Sequence, residues 1–183
     1  MNLFRKTKIL CAGHPMLRSK AQPVDLAKLK SKEFQDIVTK MKQAISKSGV
    51  IGMAAPQVGH SVRLIAVNLT DKVLLKEKRV EKLMPTTFFV NPQLKVLKQE
   101  YQKEYEFCES IPSYSGIVSR ATRVYLTAFD LDGNKVEGQY TGFMARVLQH
   151  EVDHLEGIVF VDKMEPTSLR HDKYVGEFEM HMK

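Results

Sequence analysis

Apolar residues recur at Leu26, Leu29, Ile37, Val38, Met41, Ala44 and Ile45 with lysines between them, and Gly49 closes the run. This spacing predicts an amphipathic helix over residues 25–48, broken near Ser31. VRLIAVNL (62–69) and FFVNPQLKVL (88–97) read as strands, the second with a proline that suits an edge. The charged stretch between them, residues 71–85, reads as a surface loop or insertion. Residues 122–142 alternate apolar and polar and turn at Asp132-Gly133, a hairpin signal. A second helix over 143–156 and a short strand-like IVFVDKM (158–164) come next. No repeat, low-complexity tract or linker interrupts this order, so the pattern predicts one α+β domain over residues 1–183.

Composition fits that picture: 183 residues, 43% hydrophobic and 27% charged, are ordinary for a folded domain and too apolar for disorder. No run of about 18 apolar residues predicts a bilayer span. The apolar run before His14 is too short for a secretory signal. The two cysteines, Cys11 and Cys108, then suggest a reducing compartment, with the cytoplasm expected, or an organellar matrix for a processed eukaryotic form. The net charge of +7 is uneven, because residues 1–50 hold eleven Lys/Arg against three Asp/Glu. A solvated lysine face explains this, and so does a patch that docks on an acidic or nucleic-acid partner. No motif for sequence-specific nucleic-acid binding accompanies it.

The second helix carries chemistry. In QHEVDHLEG (149–157), His150 and His154 stand four apart with Glu151 directly after the first. At about 100° per residue, His150, His154, Phe143 and Val147 share one stripe and Glu151 lies beside it. Leu148, Leu155, Met144 and Val152 form an adjoining apolar face, while Arg146, Gln149, Asp153 and Glu156 are expected to point the other way. Two neutral histidines one turn apart on a buried face suit a divalent metal bound through one nitrogen of each.

A catalytic site of this type takes a third protein ligand and keeps a position for water. Candidates are a carboxylate or a cysteine, and beside a two-histidine helix Cys108, in EFCES, is the preferred one. Cys11, in a strand-like KILCAG with no polar cluster, is expected in the core. GVIGMAAPQVG (49–59) sets small residues around Gln57, whose amide can donate a hydrogen bond to a developing oxyanion.

In this order, GMAAPQVG, EFCES and QHEVDHLEG resemble the three signature motifs of the peptide deformylases, and KILCAGHPMLRSKA resembles the opening strand and turn of that family. The likeness runs from about Lys8 to Met164. It implies antiparallel β-sheets packed around a central helix carrying HExxH, with an N-terminal amphipathic helix. It also implies one divalent metal held by Cys108, His150 and His154, usually Fe(II) in the cell and replaceable by Zn, Ni or Co. The substrates implied are the N-formyl-Met ends of nascent peptides, and the products are formate and a free N-terminus. Glu151 would shuttle the proton, and the Gln57 side chain and Glu109 backbone N–H would steady the oxyanion. Gly52 would pair its backbone with substrate. Ile51, Phe143 and Val147 would line the methionine pocket, and Phe107 would run beside the bound peptide.

The chain departs from the family pattern at Val50, where glycine is usual, and at Met53, where leucine is. Phe107 replaces a glycine, and Glu109 stands where leucine is common, its acidic side chain resembling mitochondrial-type members. Neither a ligand nor the base is lost. Two other functions share the motif: a different HExxH metallohydrolase, acting as a peptidase or N-acyl amidase, and a weakly active paralogue. A substrate found on emerging chains also suggests that Lys28, Lys32, Lys40 and Lys47 contact the ribosome surface.

Overall fold

In a computed structural model that describes residues 8–77, 79–80 and 82–175, the helix expected first begins at Ser31. The Ser31 hydroxyl accepts the N–H of Phe34 and starts α1 (Lys32–Ser48); Gly49, at φ +68°, ends it by donating its N–H to Ile45. The Ser31 cap fixes the predicted break, because the hydroxyl bonds a backbone donor that the first helical turn leaves open. Residues 26–28 form a separate 3₁₀ turn capped by Asp25. One stripe of α1 (Phe34, Ile37, Val38, Met41, Ala44 and Ile45) is buried. Each large member contributes roughly 1.5–3 kcal/mol by leaving water.

That stripe packs on a five-stranded antiparallel sheet with the order β1-β2-β3-β6-β7. Its strands are β1 (Gly52–Ala54), β2 (Leu64–Leu69), β3 (Met84–Val96), β6 (Arg123–Phe129) and β7 (Lys135–Thr141). A second sheet, ordered β4-β5-β8, is made by β4 (Tyr101–Cys108), β5 (Ile111–Ala121) and the short β8 (Arg170–His171). Helix α3 (Gly142–Leu155) follows β7 directly. Its apolar face, including Ala145, Leu148 and Leu155, enters one core with Ile65, Val67, Phe89, Leu126 and Ala128 of the large sheet. The α+β architecture is therefore two antiparallel sheets with α3 packed against strands of both. Among the described residues, no helix is long and apolar enough to cross a membrane.

Several local expectations change. Pro92 lies in β3, between β2 and β6, and not on an edge. The register shifts between Val90 and Gln93, Asn91 takes φ +51°, and the Asn91 amide bonds both N–H and C=O of Val24. A bulge thus accommodates a residue that lacks the ladder donor. Residues 71–85 are not simply loop: Asp71 caps a short helix α2 (Lys72–Lys76) that buries Leu74, and β3 starts at Met84. IVFVDKM is not a strand. The Asp162 carboxylate accepts the Val159 N–H at 2.8 Å and folds Phe160–Asp162 into a 3₁₀ turn. Its apolar residues reflect burial of Val159 and Phe160 instead of pleating. The opening strand is also missing among the described residues, where residues 8–12 make single backbone bonds, Leu10 to Gln57 and Ala12 to Ser110. Cys11 is exposed, so it is not the core residue expected. The predicted hairpin stands, with Asp130 accepting the N–H groups of Asp132 and Asn134 around Gly133.

Candidate metal centre and catalytic cleft

Cys108 closes β4, and the β4–β5 ladder is irregular there: Phe107 faces Ser115 while Cys108 already faces Ile111. This tight return leaves Glu109 and Ser110 in a turn and carries the Cys108 thiol under α3. One turn of α3 separates His150 from His154, and their rings meet edge to face at 5.0 Å. One donor atom each from Cys108, His150 and His154 lies within 4.8 Å of the others. Cys108 Sγ is 3.3 Å from His154 Nε2 and receives the Ser110 N–H at 3.4 Å. Borderline thiolate and imidazole donors in a small buried cluster are the chemistry that a zinc- or iron-type ion requires.

Glu106 sets the direction of His150. Its Oε2 is 3.0 Å from His150 Nδ1, which leaves Nε2 to face the cluster. Arg120 grips Glu106 with two bonds, at 2.8 and 2.9 Å, and Arg146 adds a third at 2.7 Å. Burial alone would raise the Glu106 pKa, but the bonds from Arg120 and His150 outweigh it and hold the carboxyl far below its usual range. Arg120 also pairs with Asp153, which Lys163 meets from its other side at 2.6 Å. An ionised carboxylate that orients a ligating imidazole raises its basicity and fixes its tautomer.

Glu151 occupies a different environment. It is 3% exposed, its Oε2 has no hydrogen-bond partner among the described residues, and burial pushes its pKa up to about 7. A carboxyl poised near neutrality beside the cluster can exchange protons at working pH. The His154 Nδ1 is likewise buried without a partner, and burial followed by the His150 charge lowers the pKa of that ring well below its ordinary value. For His150, burial is opposed and overcome by bonds to Cys108 and Glu106, which raise its pKa.

Gln57 is fixed from both ends. Its Oε1 accepts the Ala54 N–H at 2.7 Å, and its Nε2 points to Cys108 Sγ at 3.4 Å and Ser110 Oγ at 3.3 Å. Gly52 pairs with Val67 on the edge strand β1. Ile51, Gly52, Gln57, Phe107, Cys108, Glu109, Phe143, Val147, His150 and Glu151 all line one cleft; His154 does not line it and is buried beside Cys108. Tyr105, Glu106, Arg146 and Val50 line it as well.

Sequence reasoning placed Arg146 and Asp153 on the outward face of α3, and the structure corrects this: both are buried against the second sheet. Gln149 is also engaged, its amide bonding the backbone of Ala121. Glu106 and Arg120 had no assigned role. The available signal was that Arg146 and Asp153, seven apart and opposite in charge, form a second stripe beside the histidines.

A buried Cys-His-His donor set with a carboxyl at its edge, held between two antiparallel sheets, marks a candidate metalloprotein. The polypeptide deformylase profile matches residues 6–170. Peptide deformylase 1A of Arabidopsis thaliana, chloroplastic/mitochondrial, is 34% identical over 172 residues, covering 89% of this chain and 63% of the relative. The mitochondrial peptide deformylase of Homo sapiens is 34% identical over 159 residues, 84% of this chain and 65% of the relative. The chain thus spans just under two thirds of the length of these organellar relatives. The Met-Ala-Ser-bound crystal structure of a class I type b peptide deformylase from Acinetobacter baumannii superposes with a TM-score of 0.78 at 33% identity, over 85% of this chain and 96% of that one. The chain belongs to the polypeptide deformylase family, whose members are metal-dependent.

Proposed function

We propose that this chain removes the formyl group from the N-terminal formyl-methionine of newly made polypeptides, releasing formate and a free amine. The observation that carries this reading is the buried Cys108–His150–His154 cluster with Glu151 beside it and not within it. Family membership and the Met-Ala-Ser ligand of the Acinetobacter neighbour support the choice of substrate.

Cys108 Sγ and the Nε2 atoms of His150 and His154 would hold one divalent ion, Fe(II) in the cell, with Zn, Ni or Co able to replace it. When bound, such an ion acidifies water to near-neutral pKa and polarises a carbonyl oxygen. Glu151 accepts the proton of the attacking water and delivers it to the departing amine, a task matched to its raised pKa. The Gln57 amide and the Glu109 N–H donate to the oxyanion that develops on the formyl carbonyl. Ile51, Phe143 and Val147 enclose the methionine side chain, Gly52 pairs with the peptide backbone, and Phe107 borders the residues after it.

Formate release from formyl-Met-Ala-Ser by anaerobically purified, iron-loaded protein tests the reaction, with acetyl-Met-Ala-Ser as control. Release from the formyl peptide alone is expected; equal cleavage of both would indicate a general N-acyl amidase. Glu151→Gln should keep the metal by elemental analysis and lose about 10²–10⁴ in kcat. Loss of the metal in that variant would remove the role given to Glu151.

Lys28, Lys32, Lys40 and Lys47 are exposed. As a docking patch for ribosomal phosphates they should give co-sedimentation with ribosomes at low salt that falls as salt rises. Its absence at low salt would reject that contact.

A further inference from the structure

We infer that Arg79 is a positioning residue that sets the width of the pocket for the first side chain of the substrate; this rests on the deformylase reading of the cleft. Its guanidinium lies 4.3 Å from the centroid of the Phe143 ring. The same group bonds Glu104 through Nη2 at 2.5 Å, and Glu104 Oε2 is 3.7 Å from Arg146 Nε. The backbone is also held, because the Arg79 N–H donates to the C=O of Leu74, a buried residue of the main core. A cation stacked on an aromatic face is attracted by the ring quadrupole, and more strongly as water is excluded.

Phe143 is a partition. It borders the catalytic cleft and also a second groove lined by Leu69, Leu75, Arg79, Val80, Met84 and Tyr140. Arg79 lines the second groove and is not among the residues that line the cleft, so it meets the ring where Phe143 borders that groove. A ring pinned from outside keeps the cleft narrow. A ring released from Arg79 can turn toward the neighbouring groove and let the cleft widen into it. Arg79 thereby acts on specificity through Phe143, although none of the described residues between 71 and 83 borders the cleft.

The test compares kcat and KM of metal-loaded wild type, Arg79→Ala, Arg79→Lys and Glu104→Gln on formyl-Met-Ala-Ser and formyl-Phe-Ala-Ser. Arg79→Ala should raise KM for the methionine substrate about threefold to tenfold with kcat within about twofold, and lower the Met-over-Phe preference in kcat/KM by a similar factor. Arg79→Lys keeps a cation over the ring without the planar fork, so it should restore part of the preference, and Glu104→Gln should fall between. Unchanged preference in both Arg79→Ala and Glu104→Gln, or a loss confined to kcat, would overturn the inference while leaving the reaction intact. A wild-type chain inactive on both peptides would overturn the reaction itself and this inference with it.

Discussion

The carboxylate of Glu151 occupies the space that a side chain at position 52 would need: a Cβ on Gly52 would overlap Glu151 Oε1. Glycine at this point of β1 is therefore a matter of volume, since Gly52 is not among the glycines with positive φ. The atom in the way is the end of a flexible side chain, so Gly52→Ala should fold with little loss of stability and instead push the carboxyl out of place. Misplacing the proton shuttle costs about 10²–10⁴ in rate. We expect kcat on formyl-Met-Ala-Ser to fall by at least about 100-fold while Tm changes little; full activity in Gly52→Ala would show that Glu151 works from another position.

Glu106 should control metal affinity without touching the metal. Glu106→Gln keeps the shape but removes the charge that Arg120, Arg146 and His150 share. Loss of a carboxylate behind a ligating histidine typically weakens metal binding by about 10–100-fold. Competition for Zn against a chromophoric chelator should show that weakening, with a lowered Tm as two arginines lose their common partner. Unaltered affinity would mean that His150 is oriented by the helix alone.

The features of this site that were legible in the sequence are the local ones. The i, i+4 histidines, the break near Ser31 and the turn at Asp132-Gly133 each depend on residues close in the chain, and each stands where the pattern put it. The Glu106–Arg120–Asp153 chain was hidden because its members come from β4, β5 and α3 and meet only when the second sheet closes over the helix. Arg146 and Asp153 were misread for the same reason: a charged helical stripe usually faces water, and only a complementary set of charges opposite overrides that. Pro92 misled through propensity, since a bulge set by Asn91 removes the objection to proline inside a sheet.

His60 links stability to pH at a point away from the cleft. Its Nε2 lies 2.9 Å from Lys40 Nζ, and burial, then the Lys40 charge, lowers its pKa from 6.5. Below pH 6.5 the unfolded chain takes up a proton that the folded ring resists, so stability declines as pH falls from 6.5 and levels off below the folded-state pKa. His60→Asn should flatten this part of the profile, and Lys40→Gln should narrow it. Urea midpoints at pH 7.5 and 5.5 measure the effect, read as the difference between each variant and wild type. The same drop in wild type and His60→Asn would assign it to other groups.

Phe107 and Glu109 flank Cys108, the cysteine proposed to hold the metal, and should govern which residues are accepted after the methionine. Phe107 stands where the family usually has glycine, yet it lies in β4 and is not among the residues with positive φ. The replacement therefore strains nothing, and its consequence is the ring itself, 64% exposed at the rim of the cleft. Glu109 adds a carboxylate to the same rim, while the N–H assigned to the oxyanion belongs to its backbone and is independent of the side chain. A ring narrows the approach for every peptide, and the charge opposes acidic residues after the methionine. An exposed charge pair is worth roughly 0.2–1 kcal/mol, so Phe107→Gly with Glu109→Leu should raise kcat/KM on formyl-Met-Ala-Ser modestly. On peptides with Asp or Glu in second place the gain should be about two- to fivefold larger, and added salt should shrink that excess as screening removes the charge term. Rates and preferences that match wild type on both peptides would place both side chains outside the path of the substrate.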